Sequence, residues 1–215
     1  MSTPRTDAVP APPTERSLPP EALRGSYQSI TEVGAPVLHR RCAEVTEFGP
    51  ELARLIDDMF FTMHVAQGVG LAANQIGVDL QVFVYDCPGE DGLRHIGHIC
   101  NPVIDAPRPA EPAGPTEPAE PAAGKEGCLS VPGGGLHEVP RAARTIVRGQ
   151  DKDGNALEGQ GLLARCFQHE TDHLDGTLYI DHLTPEQRTR ALQEMAANRQ
   201  TVLAQRDARA RALRG

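Results

Sequence analysis

The pentapeptide His169-Glu170-Thr171-Asp172-His173 constrains this chain more than any other stretch. On an α-helix each residue turns by about 100°, so positions four apart are only about 40° out of line. The two imidazoles then share one helical face, close enough to grip one metal ion. Glu170 is one step round, beside the ion and free to act on a water. Leu162, Leu163, Cys166, Phe167 and Leu174 give the segment an apolar face at helical spacing, and Gly176 is a stop signal. No Ser, Thr, Asp or Asn stands just before Leu162 to cap the start. The plainer alternative is two histidines satisfied by neighbours on a buried helix.

Bulk properties narrow the setting. A length of 215 residues implies one domain with tails, and a formal charge of −8 argues against specific nucleic-acid recognition. No apolar run is long enough to span a membrane, and no apolar segment follows the first basic residues, so neither an anchor nor a secretory signal is predicted. Cysteines at 42, 87, 100, 128 and 166 are odd in number and have no close pairs. A disulfide framework does not follow from them, and a reducing cytoplasm, where thiols serve as metal ligands, does.

Residues 1–25 hold six of the 19 prolines and few large apolar side chains, and they predict a flexible leader. Ile30 to Leu38 predicts an extended arm with a turn at Gly34 to Pro36, and folded structure is expected to begin near Ile30. Pro50 suits a first helical turn. Leu52, Leu55, Ile56, Met59, Phe60 and Met63 then predict a helix over 50–66 that closes at Gly68. Gly68-Val-Gly-Leu-Ala-Ala-Asn-Gln75 is small and backbone-rich, which suits either a tight loop or a close approach to a ligand. Gln81 to Asp86 and His95 to Ile104 predict strands, the second weakened by Pro102. His95 and His98 would point to opposite faces of such a strand, which argues against a second metal site.

Residues 105–124 carry six prolines among Ala, Glu and Gly and predict a surface insertion. Ala143 to Arg148 and Ala156-Leu157 predict short strands joined at Asp153-Gly154. Glu186 to Arg214 predicts a helix with seven arginines against Glu186, Glu194 and Asp207, a basic tail over 185–215.

Two histidines leave a metal under-coordinated, because a catalytic site uses three protein ligands and an exchangeable water. A zincin-type protease would look downstream, where His182 lies nine residues beyond His173 without the required glycine turn. Upstream, Cys128 sits in a glycine-bearing turn and offers a thiolate.

Three segments, Gly68-Val-Gly-Leu-Ala-Ala-Asn-Gln75, Glu126-Gly-Cys-Leu-Ser130 and Gln168-His-Glu-Thr-Asp-His173, resemble in order the three motifs of the bacterial peptide deformylases. The Gly-x-Pro-Val-Leu of the opening arm is similar too, so the resemblance runs from about Ile30 to Leu183.

That resemblance implies an α+β fold with antiparallel strands around a central metal-binding helix, a catalytic domain over 26–184, and a C-terminal helix. It implies hydrolytic removal of the formyl group from the N-terminal formylmethionine of new polypeptides. Cys128, His169 and His173 would hold one divalent metal ion, Fe2+ with Zn2+, Ni2+ or Co2+ able to substitute. Glu170 would be general base and then acid. Gln75 and the Leu129 N–H would flank the oxyanion, and Val69 and Gly70 would line the cleft where the peptide pairs as an added strand. Glu126 and Arg141 would pair to fix the Cys128 loop, with a surface salt bridge as the alternative. Arg165 stands where several relatives have an aliphatic pocket residue, and Gly133-Gly134-Gly135 lacks the basic residue some members turn to the peptide. A protease cutting internal bonds and a non-catalytic relative are the rival functions. The arginine-rich C-terminal helix suggests ribosome association.

Overall fold

The computed structural model describes residues 17–89, 92–105, 124–142, 144–151 and 157–214. The helices are α1 (Pro20–Arg24), α2 (Pro50–Val65), α3 (Gly161–Leu174) and α4 (Pro185–Arg214). The strands are β1 (Gly70–Ala72), β2 (Val82–Pro88), β3 (Arg94–Asp105), β4 (Lys125–Glu126), β5 (His137–Glu138), β6 (Arg144–Gln150) and β7 (Leu157–Gln160). An antiparallel five-stranded sheet has the order β1-β2-β3-β6-β7, and β4 pairs with β5 separately. The fold is α+β, as expected.

Strand β2 explains the layering. Alternate side chains of a strand point to opposite faces. Val82 and Val84 pack with Ile56, Met59, Phe60 and Met63 of α2, while Phe83, Tyr85 and Cys87 pack with Leu163, Cys166 and Phe167 of α3. Both faces of β2 are covered, which is why Val82 to Tyr85 are apolar or aromatic at every position. Phe167 anchors α3 there, its ring centroid 5.8 Å from Phe83 and 4.9 Å from Tyr85. Burying such a ring contributes about 1.5–3 kcal/mol. Beyond α3 a third cluster gathers Leu38, Val131, Val139, Leu178, Tyr179, Ile180 and Ala191, so the helix is central.

Several boundaries differ from expectation. Helix α2 ends one residue early, and the left-handed residue behind it is Gln67 (φ 58°), not Gly68. Its last turns are buried all round, Phe61, Thr62 and Val65 included. Strand β3 runs through Pro102 by shifting register between Cys100 and Val103, with Asn101 at φ 51°. Helix α3 begins directly where β7 ends, so the missing cap reflects a strand that becomes a helix without a loop. The expected insertion and the Asp153-Gly154 turn lie, but for Asp105 and Gly124, outside the described residues.

Neither end behaves as the appendage expected. Ala22 of α1 is fully buried, and Arg24 makes a two-pronged bond to Asp57 of α2 at 2.8 and 2.9 Å. Described structure therefore reaches back to Ser17, ahead of Ile30, and residues 1–16 of the expected leader lie outside the described part. Helix α4 is equally attached. Arg199 bonds Glu32 at 2.5 and 2.8 Å, Arg209 donates to Val65 O at 2.8 Å, and Arg206 donates to Leu129 O at 3.0 Å. The glycine run lies beneath it. Gly133 and Gly135 adopt φ of 78° and 74°, and side chains there would meet Asn198 and Glu194.

Candidate metal centre

Helical spacing puts His169 and His173 on one face of α3, their ring centroids 4.9 Å apart. The loop after β4 brings Cys128 to them, with Sγ 3.1 Å from His173 Nε2. One donor atom from each of Cys128, His169 and His173 lies within 4.8 Å of the others. Metal–sulfur and metal–nitrogen bonds of about 2.3 and 2.0–2.1 Å span separations of this order. One sulfur and two imidazole nitrogens are the donors a divalent transition ion takes, so the residues fit the group.

The His169 ring is set by its outer partner, and the His173 ring by its packing. His169 Nδ1 lies 2.9 Å from Glu126 Oε2, which directs Nε2 inward. Burial works against a charged His169, but hydrogen bonds with Cys128 and Glu126 outweigh it and raise its pKa well above the usual value. His173 is shifted well below, by burial and then by His169, and its Nδ1 is buried without a partner among the described residues. Asn74 Nδ2 donates to His173 O at 2.5 Å, a contact that motif reading did not single out although Asn74 adjoins Gln75.

Glu126 is the hub. Arg141 donates to both its oxygens at 2.8 and 2.9 Å, and Arg165 Nη1 donates at 2.8 Å. Glu126 and Arg141 are buried, which excludes the surface salt bridge. Arg165 is thereby accounted for: it bonds Glu126 and Val139 O. Arg141 also reaches Asp172 at 2.6 Å, and Asp172 holds His182 at 2.7 Å. His182, the downstream ligand a protease would need, thus belongs to this network and stands outside the Cys-His-His group.

Gln75 lies on the short turn Ala73–Ile76. The Ala72 N–H donates to its Oε1 at 2.9 Å, which turns Nε2 toward Ser130 Oγ (3.2 Å) and Cys128 Sγ (3.5 Å). The Leu129 N–H finds no acceptor among the described residues. Gln75 Nε2 and the Leu129 N–H thus lie on either side of Cys128 in the chain's own geometry.

Glu170 is 4 % exposed, and its Oε2 has no hydrogen-bond partner among the described residues. Burial pushes its pKa up to about 7. Gly70 faces it across a gap too small for a side chain, since a Cβ there would overlap the carboxyl group. Gly70 belongs to β1, the edge strand of the sheet, and Val69 adjoins it with its carbonyl bound to Asp86 N at 2.8 Å. An edge strand beside Glu170, without a further strand among the described residues, suits a peptide added alongside it. Gly70→Ala is expected to displace the carboxyl and lower kcat by about 10²-fold. Steady-state kinetics with a circular dichroism check of folding measure this, and unchanged kcat would show that the close approach has no catalytic consequence.

The family model for polypeptide deformylase matches residues 27–189. Peptide deformylase 1 of Streptomyces avermitilis is 49% identical over 178 residues, covering 81% of this chain and 78% of that protein. Peptide deformylase 1 of Corynebacterium efficiens is 50% identical over 170 residues, covering 78% and 93%. A crystal structure of peptide deformylase from Ehrlichia chaffeensis superposes with TM-score 0.70 at 35% identity, covering 83% of this chain and 99% of that one. A second structure of the Ehrlichia enzyme, in complex with actinonin, gives 0.68 at 36% identity, covering 80% and 98%.

Proposed function

The chain belongs to the polypeptide deformylase family, and from that premise we propose how its own residues carry out the reaction. The activity is metal-dependent hydrolysis of the N-formyl group from the formylmethionine that opens new polypeptides, with release of formate. The carrying observation is the convergence of Cys128, His169 and His173 beside a buried carboxylate.

Cys128, His169 and His173 would hold the ion. When bound, it supplies Lewis acidity, lowering the pKa of a water toward about 7 and polarising the formyl oxygen. Glu170 takes a proton from the attacking water and delivers it to the departing amine. Its elevated pKa, set by burial, suits a group that must both accept and return a proton near neutrality. Charge growing on the formyl oxygen is met by Gln75 Nε2 and the Leu129 N–H, and a donor of this kind is worth about 3–4 kcal/mol in the transition state. Val69 and Gly70 line the cleft and keep the peptide backbone extended beside β1.

The formate released from formyl-Met-Ala-Ser, set against its unformylated twin, tests this reading. Formate from the first and no cleavage of the second is expected. Cleavage of the twin would favour a protease, a reading that the engagement of His182 by Asp172 already disfavours. No formate from either peptide would favour a non-catalytic relative.

Ferrous iron is the proposed physiological ion, with zinc, nickel or cobalt able to replace it. In air the iron-loaded enzyme is expected to lose activity as Cys128 climbs the oxidation ladder, and the nickel form to persist. Equal half-lives would refute this. The proposed setting is the cytoplasm; among the described residues no helix is long and apolar enough to cross a membrane. Ribosome contact through α4 would fall chiefly to Arg190 and Arg211, because Arg188, Arg199, Arg206, Arg209 and Arg214 have partners within the molecule. Arg190→Glu with Arg211→Glu is therefore a cleaner test than truncation, and salt-sensitive co-sedimentation should weaken.

A further inference from the structure

Arg206 lies in no motif, yet it reaches the centre of the site. Its residue is 5 % exposed. Nη2 donates to Leu129 O at 3.0 Å, while Nε and Nη1 have no hydrogen-bond partner among the described residues. Glu32, the nearby acid on the arm, is taken by Arg199. Burial opposes the charge on Arg206, and Tyr27, Cys128 and Glu32 favour it. A guanidinium so sparsely bonded is a poor device for stability: replacing buried ions by apolar groups of similar size is often neutral or stabilising.

The atoms beyond that hydrogen bond suggest another use. The carbonyl of Leu129 and the N–H of Ser130 belong to one amide. That N–H donates to Cys128 Sγ at 3.4 Å. Donation to an amide oxygen polarises the amide and strengthens the bond its N–H makes. A buried positive charge is thereby relayed through one peptide unit to the sulfur. The same bond tethers the loop that carries the Leu129 N–H.

We infer that Arg206 is a positioning residue for this reaction: from α4 it fixes and polarises the Leu129–Ser130 amide, and so tunes the sulfur of Cys128. This rests on the reading of Cys128 as a metal ligand given above. The consequence is that α4 completes the active site without touching substrate.

The test uses the full-length protein, loaded with Co2+, as wild type, Arg206→Met and Arg206→Lys. In Arg206→Met the thiolate-to-cobalt absorption band is expected to move to longer wavelength, because a sulfur with weaker hydrogen bonding gives up an electron more easily. Its kcat is expected to fall about 10-fold or more, the usual scale for groups behind metal ligands, with KM little changed. The thermal midpoint should stay level or rise. Arg206→Lys, which keeps a charged donor, should return both band and kcat most of the way. An unshifted band in folded Arg206→Met overturns the proposal whatever happens to kcat, since Arg206 would then only pack. Failure of Arg206→Lys to move either quantity back from the methionine values overturns it as well. Wild-type protein that shows no such band and releases no formate would remove the ligand reading itself, a result distinct from either of these.

Discussion

Glu170→Gln is expected to lower kcat on formyl-Met-Ala-Ser by about 10²–10⁴-fold, the range a positioned acid–base group contributes. One metal per chain should remain, because the donor atoms would come from Cys128, His169 and His173. Glutamine keeps the shape of the side chain in its 4 % exposed site but takes no proton from water. Metal analysis beside steady-state kinetics measures both halves, and a kcat within tenfold of wild type would remove Glu170 from the mechanism. The same variant reports on stability. Burial raises the folded carboxyl from 4.5 to about 7, so the folded protein binds more protons than the unfolded chain between those values. The carboxylate therefore costs stability as pH rises through that window, and the full cost is present above it. Metal-free Glu170→Gln should accordingly melt higher than metal-free wild type at pH 8, with the gap closing below about pH 4.5.

Glu126→Ala is the largest expected loss of stability. It leaves Arg141, Arg165 and the His169 ring without their shared acceptor, the two arginines buried and the ring nearly so. Removing one partner of a buried ion pair costs about 3–5 kcal/mol, because an uncompensated charge stays behind. Burial alone would raise the Glu126 pKa, but the bonds from Arg141 and His169 outweigh it and hold the carboxyl far below the usual range. A depressed carboxyl stabilises the fold above its unfolded pKa and loses that contribution as pH falls toward the folded value. The difference between wild type and Glu126→Ala should therefore be full near neutrality and shrink in acid. Urea denaturation of the metal-free proteins measures it, and a difference under about 1 kcal/mol at pH 7 would mean that the network is ornamental to folding. Metal affinity should fall as well, by about 10–100-fold, since His169 loses the group that orients it.

What the sequence disclosed follows from which forces leave a periodic trace. Apolar spacing located α2 and α3, and Gln81 to Asp86 announced a strand, although not that it is covered on both sides. That Cys128, Glu170 and Gln75 belong with His169 and His173 was legible only through the family resemblance, because helical spacing alone pairs just the two histidines. Helix α1 was hidden because prolines dominate its surroundings, while its anchors are one alanine and one ion pair. Helix α4 was predicted as a helix, and only its docking was hidden, for a related reason. It docks through arginines that reach backbone carbonyls and through two buried alanines, Ala191 and Ala210, and neither feature makes an apolar stripe. Arg165 read as an intruder in a pocket because one-dimensional spacing cannot show that Glu126 has room for a second guanidinium.

The seating of α4 against the cysteine loop also separates the donors from their brace along the chain. Cys128, His169 and His173 all precede Arg206, which reaches back 77 positions to hold Leu129 O. A fragment cut before α4 would therefore carry all three donor side chains on a loop that lacks this tether, and a contact of such long sequence separation is slow to close during folding.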